Sequence, residues 1–299
     1  MNHAQLRAFH QVATEGSFTK AAAALRVTQP TISAQVKGLE DSYGIRLFDR
    51  RGRGIELTDL GETLLQITRR LFDLEEQAAE LLTANRALEG GHLKIGIDSP
   101  MHVTPILTEF VKRFPGITIG LSTGNSDKVL HDLLDYRTDI AVVARLQVDD
   151  RLVSIVLRED HLVVFMRSDH PLAGRKGISL TEIAQERLIL RESGSVTRQI
   201  FEEALDRAEI VPHTIMEMDS REAVREAVSA GLGIGIVSNA EIGEASGLAI
   251  LDINNADVGM TEYLVCLRER RRLRVVRAFM DLSREIRDRT AAGGAASVG

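Results

Sequence analysis

The densest group of chemically able side chains in this 299-residue sequence is the run Glu192-Ser193-Gly194-Ser195-Val196-Thr197-Arg198. It follows the apolar stretch Leu188-Ile189-Leu190 and leads into a helical pattern, so hydroxyls and a guanidinium converge on a helix start. Free amides and the helix dipole make such a place receptive to anions, and arginine suits carboxylate or phosphate-like groups. Two other segments repeat the theme: Ser99, Met101 and His102 follow the strand-like Leu93 to Ile97, and Thr123 and Asn125 follow Thr118 to Leu121. Ser99, Met101, His102, Thr123, Asn125, Ser193, Ser195, Thr197 and Arg198 are therefore the candidates to line a cleft for a small anion of the carboxylate, sulfur oxyanion or phosphonate class. Serine, threonine and asparagine at these positions also serve as simple helix caps.

A second chemistry sits at the N-terminus. Arg50, Arg51 and Arg53 crowd around one glycine between two short strand-like runs, a hairpin tip suited to a phosphate backbone. Just before it, the helix expected from Thr28 to Tyr43 turns Ile32, Val36 and Leu39 to one side. Its other side carries Pro30, Thr31, Ala34, Lys37 and Gly38, flanked by Gln29, Ser33 and Gln35, short or amide-bearing groups able to approach base edges. Net charge points the same way. The chain is −6 overall, but residues 1–58 hold eight basic and five acidic side chains, leaving −9 to the remainder. A basic head on an acidic body fits a nucleic-acid partner.

Reactive constellations are missing. Gly231-Leu-Gly233-Ile-Gly235 lacks the dinucleotide-binding spacing because Ile236 stands where the third glycine is required. No Walker loop, metalloprotease helix or nucleophile elbow occurs, and the eight histidines are scattered without ligand spacing. The lone Cys266 allows no internal disulfide and lies in an apolar run. The expectation is a protein that is no enzyme, with no cofactor and no metal.

The elements that must position these groups divide the chain in three. Residues 1–58 read as three helices and a hairpin, with Gly16 ending the first helix, Ser17 capping the second and Thr28 capping the third, whose first turn tolerates Pro30. The hairpin strands are expected at Ile45 to Arg50 and Gly54 to Thr58. Residues 59–89 read as one long helix in which Leu60, Leu64, Ile67, Leu71, Leu74, Ala78 and Leu81 recur at steps of four and three, with Leu88 seven further on. So narrow an apolar stripe needs a partner stripe, and a two-fold dimer supplies it. From residue 90 onward strands alternate with helices in an α/β pattern, expected as a first lobe of about 92–161 plus 268–290 and a second of about 162–267, with Tyr263 to Leu267 returning the chain to the first lobe. The final helix is expected over Leu273 to Arg287, with a frayed tail from Ala291. A hydrophobic fraction of 44% with no run near the ~20 apolar residues of a membrane helix, and an N-terminus without a signal segment, suit a cytoplasmic protein.

One long pattern runs through the head: Leu6-x-x-Phe9, Gly16-Ser17-Phe18-x-x-Ala21-Ala22-x-x-Leu25, Thr28-Gln29-Pro30-x-Ile32-Ser33-x-Gln35-Val36-x-x-Leu39-Glu40, Gly44-x-x-Leu47-Phe48-x-Arg50 and Leu57-Thr58-x-x-Gly61. It resembles the head of the LysR-type transcriptional regulators, and the resemblance extends over nearly the whole chain. It implies a winged helix-turn-helix, a long dimerising helix and a two-lobed effector domain of the periplasmic-binding-protein type. It further implies a sequence-specific regulator of transcription, controlled by a small metabolite held between the lobes and assembled as a dimer of dimers. RNA polymerase is a candidate partner. Ser17, Thr28, Gln29, Pro30, Thr31, Ser33, Gln35, Lys37, Arg50, Arg51 and Arg53 become the candidate DNA contacts. Leu60, Leu64, Ile67, Leu71, Leu74 and Leu81 become the dimer seam. Family members often carry arginine where Ala34 stands, which shifts the expected base contacts onto Gln29, Pro30, Thr31 and Ser33. Runs like Gly194 to Arg198 border the effector cleft in several members.

Overall fold

A computed structural model describes residues 1–51, 54–82, 90–146, 148–243 and 246–295. The chain divides into two units, Met1–Asn85 and Arg86–Gly299.

In the first unit α1 (His3–Glu15), α2 (Phe18–Leu25) and α3 (Gln29–Tyr43) pack around Ala8, Phe9, Val12, Ala21, Ala22, Ile32, Val36 and Leu39. Local chemistry fixes the ends. Asn2 and Gln5 form a reciprocal capping box, Ser17 and Thr28 cap α2 and α3, and Gly16 and Gly44 end α1 and α3 at φ 62° and 63°. Strands β1 (Phe48–Arg51) and β2 (Gly54–Leu57) form the antiparallel hairpin. β1 begins later than the sequence suggested, because the Glu40 carboxylate accepts the amides of Leu47 and Phe48 and the Glu40 carbonyl accepts that of Ile45. That claims the 45–47 backbone for α3. The hairpin tip at 52–53 lies outside the described residues.

Helix α4 (Asp59–Leu82) starts where Thr58 Oγ1 accepts the Gly61 amide at 3.0 Å. A Cβ on Gly61 would stand 2.2 Å from the Leu47 carbonyl oxygen, so glycine is what lets α4 approach the head. One face of α4 buries Leu65 and Thr68, and Arg7 stacks 5.3 Å over Phe72 while donating to Glu75. The other face leaves Leu60, Ile67, Leu71 and Leu74 exposed by 39–60% within a single chain, with Leu64 half-buried. These are the seam residues; the Leu81 side chain and Leu88 lie outside the described residues.

The second unit has two sheets joined by one strand. Its first lobe runs β3 (Gly91–Ile97), α5 (Pro100–Arg113), β4 (Ile117–Thr123), α6 (Ser126–Leu134) and β5 (Ile140–Val143). β3 lies parallel between β4 and β5. The 16-residue β6 (Leu152–Arg167) then crosses to the second lobe, which contains β7 (Gly177–Ser179), α7 (Leu180–Ile183), β8 (Arg187–Arg191), α8 (Val196–Arg207), β9 (Thr214–Met218), α9 (Arg221–Ser229), β10 (Ile234–Ser238) and β11 (Leu248–Asn254). β12 (Gly259–Leu267) returns, and α10 (Arg274–Ala295) covers the first sheet.

The second crossing corrects the expected boundary. β12 pairs antiparallel with β5 and with Leu152–His161 of β6, so residues 259–267 belong to the first lobe and the second closes at Val258. In the apolar run Tyr263 to Leu267, Tyr263 is half-buried and Leu264 to Leu267, Cys266 among them, are buried on this sheet. α10 also continues to Ala295, past the expected end near Arg287 and into the stretch read as a frayed tail; residues 296–299 lie outside the described ones. No helix among the described residues is long and apolar enough to cross a membrane.

Candidate functional site

Two adjoining cavities lie in the second unit, one between the lobes and one within the second lobe beside it. The first is lined by Asp98, Asn125, Ser126 and Ala144 from one lobe, Arg191, Ser195, Thr197, Arg221 and Glu241 from the other, and Met260 and Glu262 of β12. The second shares Arg191, Thr197, Arg221 and Glu241, adds Arg225, and is otherwise walled by apolar side chains, among them Phe165, Val224, Ile236 and Leu248. The lobes touch at Gly194, where an added Cβ would stand 2.4 Å from Asn125 Nδ2.

Hydrogen bonding separates capping from binding among the residues singled out by the sequence. Asn125 is a working cap, accepting the Lys128 amide at 3.0 Å. Ser99 and Ser195 occupy the capping positions of α5 and α8 yet make no side-chain cap bond, although both are buried. Thr197 is buried beside Ser195 on the cavity wall. Met101, Thr123 and Ser193 are exposed and do not line either cavity; Thr123 and Ser193 offer only carbonyls, to Lys128 Nζ and Gln199 Nε2. Arg198 turns away from the cavities, donating to Glu202 at 2.7 Å, to the Arg191 carbonyl and to Glu217. The cations shared by both cavities are Arg191 and Arg221, with Arg225, which donates to the Ile242 carbonyl, on the second alone; the sequence pattern pointed to none of them. Their signal was positional: Arg191 ends a strand and Arg221 begins a helix, the places where an open α/β sheet meets its ligand.

His102 lies beneath the wall. Its Nε2 is 3.3 Å from an oxygen of Glu241 and 3.3 Å from an oxygen of Glu262, and all three side chains are at most 4% exposed. Arg221 Nη2 approaches Glu241 at 2.8 Å. Burial raises the Asp98 carboxyl and the charge of Glu241 adds to it, against hydrogen bonds from the Ser126 hydroxyl and the Ala144 amide. Burial also pushes Glu262 up, helped by the negative charges of Asp98 and Glu241, to about 10. Glu241 is pushed up by burial too, but the His102 ring and the Arg221 guanidinium outweigh that and hold it below the usual range. The cavity between the lobes thus sets a raised Glu262 carboxyl beside the guanidinium groups of Arg191 and Arg221.

On the head, Thr28, Gln29, Pro30, Thr31 and Lys37 are exposed and Ser17, Ser33 and Gln35 half-buried. Gln29 Nε2 donates to Ser33 Oγ at 2.9 Å and the hydroxyls of Thr28 and Thr31 meet at 2.8 Å, so the N-terminal half of α3 carries a preformed polar surface. Arg50 and Arg51 sit on β1 with side chains outside the described set, and Arg53 falls outside it altogether.

A three-helix head with a hairpin, joined in sequence to a two-lobed α/β unit with a cleft between its lobes, defines a DNA-binding regulator with a ligand-binding domain. The family model described as bacterial regulatory helix-turn-helix protein, lysR family, matches residues 3–62, and that of the LysR substrate binding domain matches residues 86–287. The chain belongs to the LysR family: it is a DNA-binding transcription regulator with an effector-binding domain. It is 33% identical over 282 residues to the HTH-type transcriptional activator CmpR of Synechocystis sp., covering 93% of each protein. Its fold is similar to that of full-length OxyR from Pseudomonas aeruginosa, with a TM-score of 0.79 at 22% identity over 95% of this chain and 98% of that one. Full-length CbnR complexed with its target DNA is similar at a TM-score of 0.67 and 22% identity, covering 95% and 99%.

Proposed function

We propose that this regulator works in the cytoplasm as a dimer of dimers. Two heads joined through the apolar stripe of Leu60, Leu64, Ile67, Leu71, Leu74 and Leu81 bind an interrupted palindrome. Gln29, Pro30, Thr31 and Ser33 read base edges, with Ser17, Thr28, Gln35, Lys37 and the hairpin arginines Arg50, Arg51 and Arg53 on the phosphates. A small anionic metabolite bound between the lobes changes their angle and with it the spacing of heads in the tetramer, a shift between two assemblies that RNA polymerase then reads. The effector has an acidic end for Arg191, Arg221, Ser195 and Thr197 and a carbon body for the apolar cavity beside them. One observation carries the effector reading: the buried Ser195 hydroxyl stands at a helix start without capping it, on the wall of a cavity holding two arginines.

Calorimetry against carboxylates, sulfur oxyanions and phosphonates tests the cleft. Binding that Thr197→Ala or Ser195→Ala weakens is expected, and binding indifferent to both overturns it. For the head, Ser33→Ala with Lys37→Ala should abolish the mobility shift of the DNA upstream of this gene. A retained shift removes α3 as the reading element.

A further inference from the structure

Seven buried side-chain atoms among the described residues lack a hydrogen-bond partner, and five of them gather at the floor of the cleft: Asp98 Oδ1, Ser99 Oγ, His102 Nε2, Glu241 Oε2 and Glu262 Oε2. Buried polar atoms are almost always satisfied, and here one imidazole nitrogen faces two carboxylates at once, so the cluster has room for a further partner. The donor types say which partner. One imidazole nitrogen and two carboxylates lie with their ligand atoms all within 4.8 Å of one another. Each nitrogen-to-oxygen separation is 3.3 Å, and ligand atoms around a tetrahedral ion with bonds of about 2.0–2.1 Å stand about 3.3 Å apart.

We propose that His102, Glu241 and Glu262 bind a divalent transition-metal ion of the zinc class at the floor of the cleft. The imidazole disfavours magnesium and calcium, which take oxygen ligands. Three protein ligands leave a coordination position, and two of them, Glu241 and Glu262, also line the cavity between the lobes. Because His102 and Glu262 belong to the first lobe and Glu241 follows β10 in the second, the ion also clips the lobes together. Nothing in the spacing of His102, Glu241 and Glu262 along the chain announces this; two crossings of the chain between lobes bring them together.

The test uses the full-length protein, stripped with chelator and dialysed, with no metabolite present. Titration with zinc chloride should give one ion per protomer, retained through dialysis when read by mass spectrometry, while magnesium chloride gives no saturable binding. His102→Gln and Glu262→Gln should each weaken zinc binding by about a hundredfold, since loss of even an outer partner of a metal ligand costs up to that factor. Glu203→Gln, in a surface pair with Arg145, should leave it unchanged. Zinc-edge absorption on the wild type needs no variant and should report nitrogen and oxygen donors only. Failure of the wild type to bind zinc, equal affinity in both cleft variants, or a sulfur ligand from Cys266 each overturns the site. Since effector binding is measured with anions, either reading can fail while the other stands.

Discussion

The head and the cleft place their polar side chains in opposite surroundings. On α3, Gln29, Thr31 and Lys37 stand in solvent on a helix whose packing relies on Ile32, Val36 and Leu39. In the cleft, Ser99, Ser195, Thr197, Glu241 and Glu262 are themselves buried. The contrast teaches where function and stability separate. Surface groups cost the fold almost nothing, whereas buried Glu241 in the cleft is held against its own desolvation by Arg221 and His102.

The sharpest way to break this contrast is to remove one charge from each region. Arg221→Met leaves Glu241, with a side chain 2% exposed, without its guanidinium. Losing one partner of a buried pair costs about 3–5 kcal/mol, and because Arg221 is 23% exposed we expect about 3 kcal/mol in chemical denaturation of the full chain. Lys37→Ala should change stability by less than about 0.5 kcal/mol while weakening DNA binding. Equal losses in the two variants would erase the distinction.

Glycines sharpen it next. A Cβ on Gly233 would stand 2.2 Å from the Arg187 carbonyl oxygen, a backbone atom in the neighbouring strand, so Gly233→Ala should cost about 2 kcal/mol. On α3 a Cβ at Gly38 meets only the end of the flexible Gln5 side chain at 3.2 Å, and alanine is the better helix former by about 1 kcal/mol. Gly38→Ala should therefore leave the melting temperature unchanged or raise it. A drop as large as that of Gly233→Ala would mean α3 is packed as tightly as the lobes.

How much of each region could be read in advance follows the same division. The head was legible because its elements are local: capping residues, Pro30 in a first turn and apolar residues at helical spacing lie within a few positions of one another. Only the start of β1 was missed, since Glu40 bonds seven and eight residues ahead and no periodicity reports that. In the second unit the buried strands β3, β5 and β10 announced themselves as apolar runs, but β7, β9 and β11 did not. For the cleft, the Ser195 and Thr197 run was visible and its cation was misplaced. Arg198 has acidic partners at 202 and 217 that draw it outward, and Arg191 and Arg221 enter only through the tertiary arrangement.

A smaller effect separates two carboxylates that look alike. Asp98 accepts the Ser126 hydroxyl at 2.5 Å and the Ala144 amide, and Asp160 accepts the Ser238 hydroxyl at 2.5 Å and the Ala240 amide. Burial and the charge of Glu241 leave Asp98 raised. Burial raises Asp160 as well, but the hydroxyl of Ser238 and the amides of His161 and Ala240 together outweigh it and the carboxyl falls below 3.8. A depressed acid contributes stability above its unfolded value and loses it as pH falls through the folded one. The advantage of the wild type over Asp160→Asn, about 1 kcal/mol near pH 6, should therefore shrink on acidification below 3.8. A pH-independent gap between the two melting curves would mean the carboxylate charge contributes nothing there.

The smallest predicted change bears most directly on the cleft. Asn125 and Ser195 both stand at helix starts on the cavity wall, but only Asn125 accepts a backbone amide of its helix. Asn125→Ala should cost about 1 kcal/mol, the ordinary loss of a cap. Ser195→Ala removes no cap bond, so its stability should stay within about 0.5 kcal/mol of the wild type while anion affinity falls. The reverse pattern, a Ser195→Ala protein that melts early and binds normally, would return this hydroxyl to a structural role and leave Arg191, Arg221 and Thr197 to hold the effector without it.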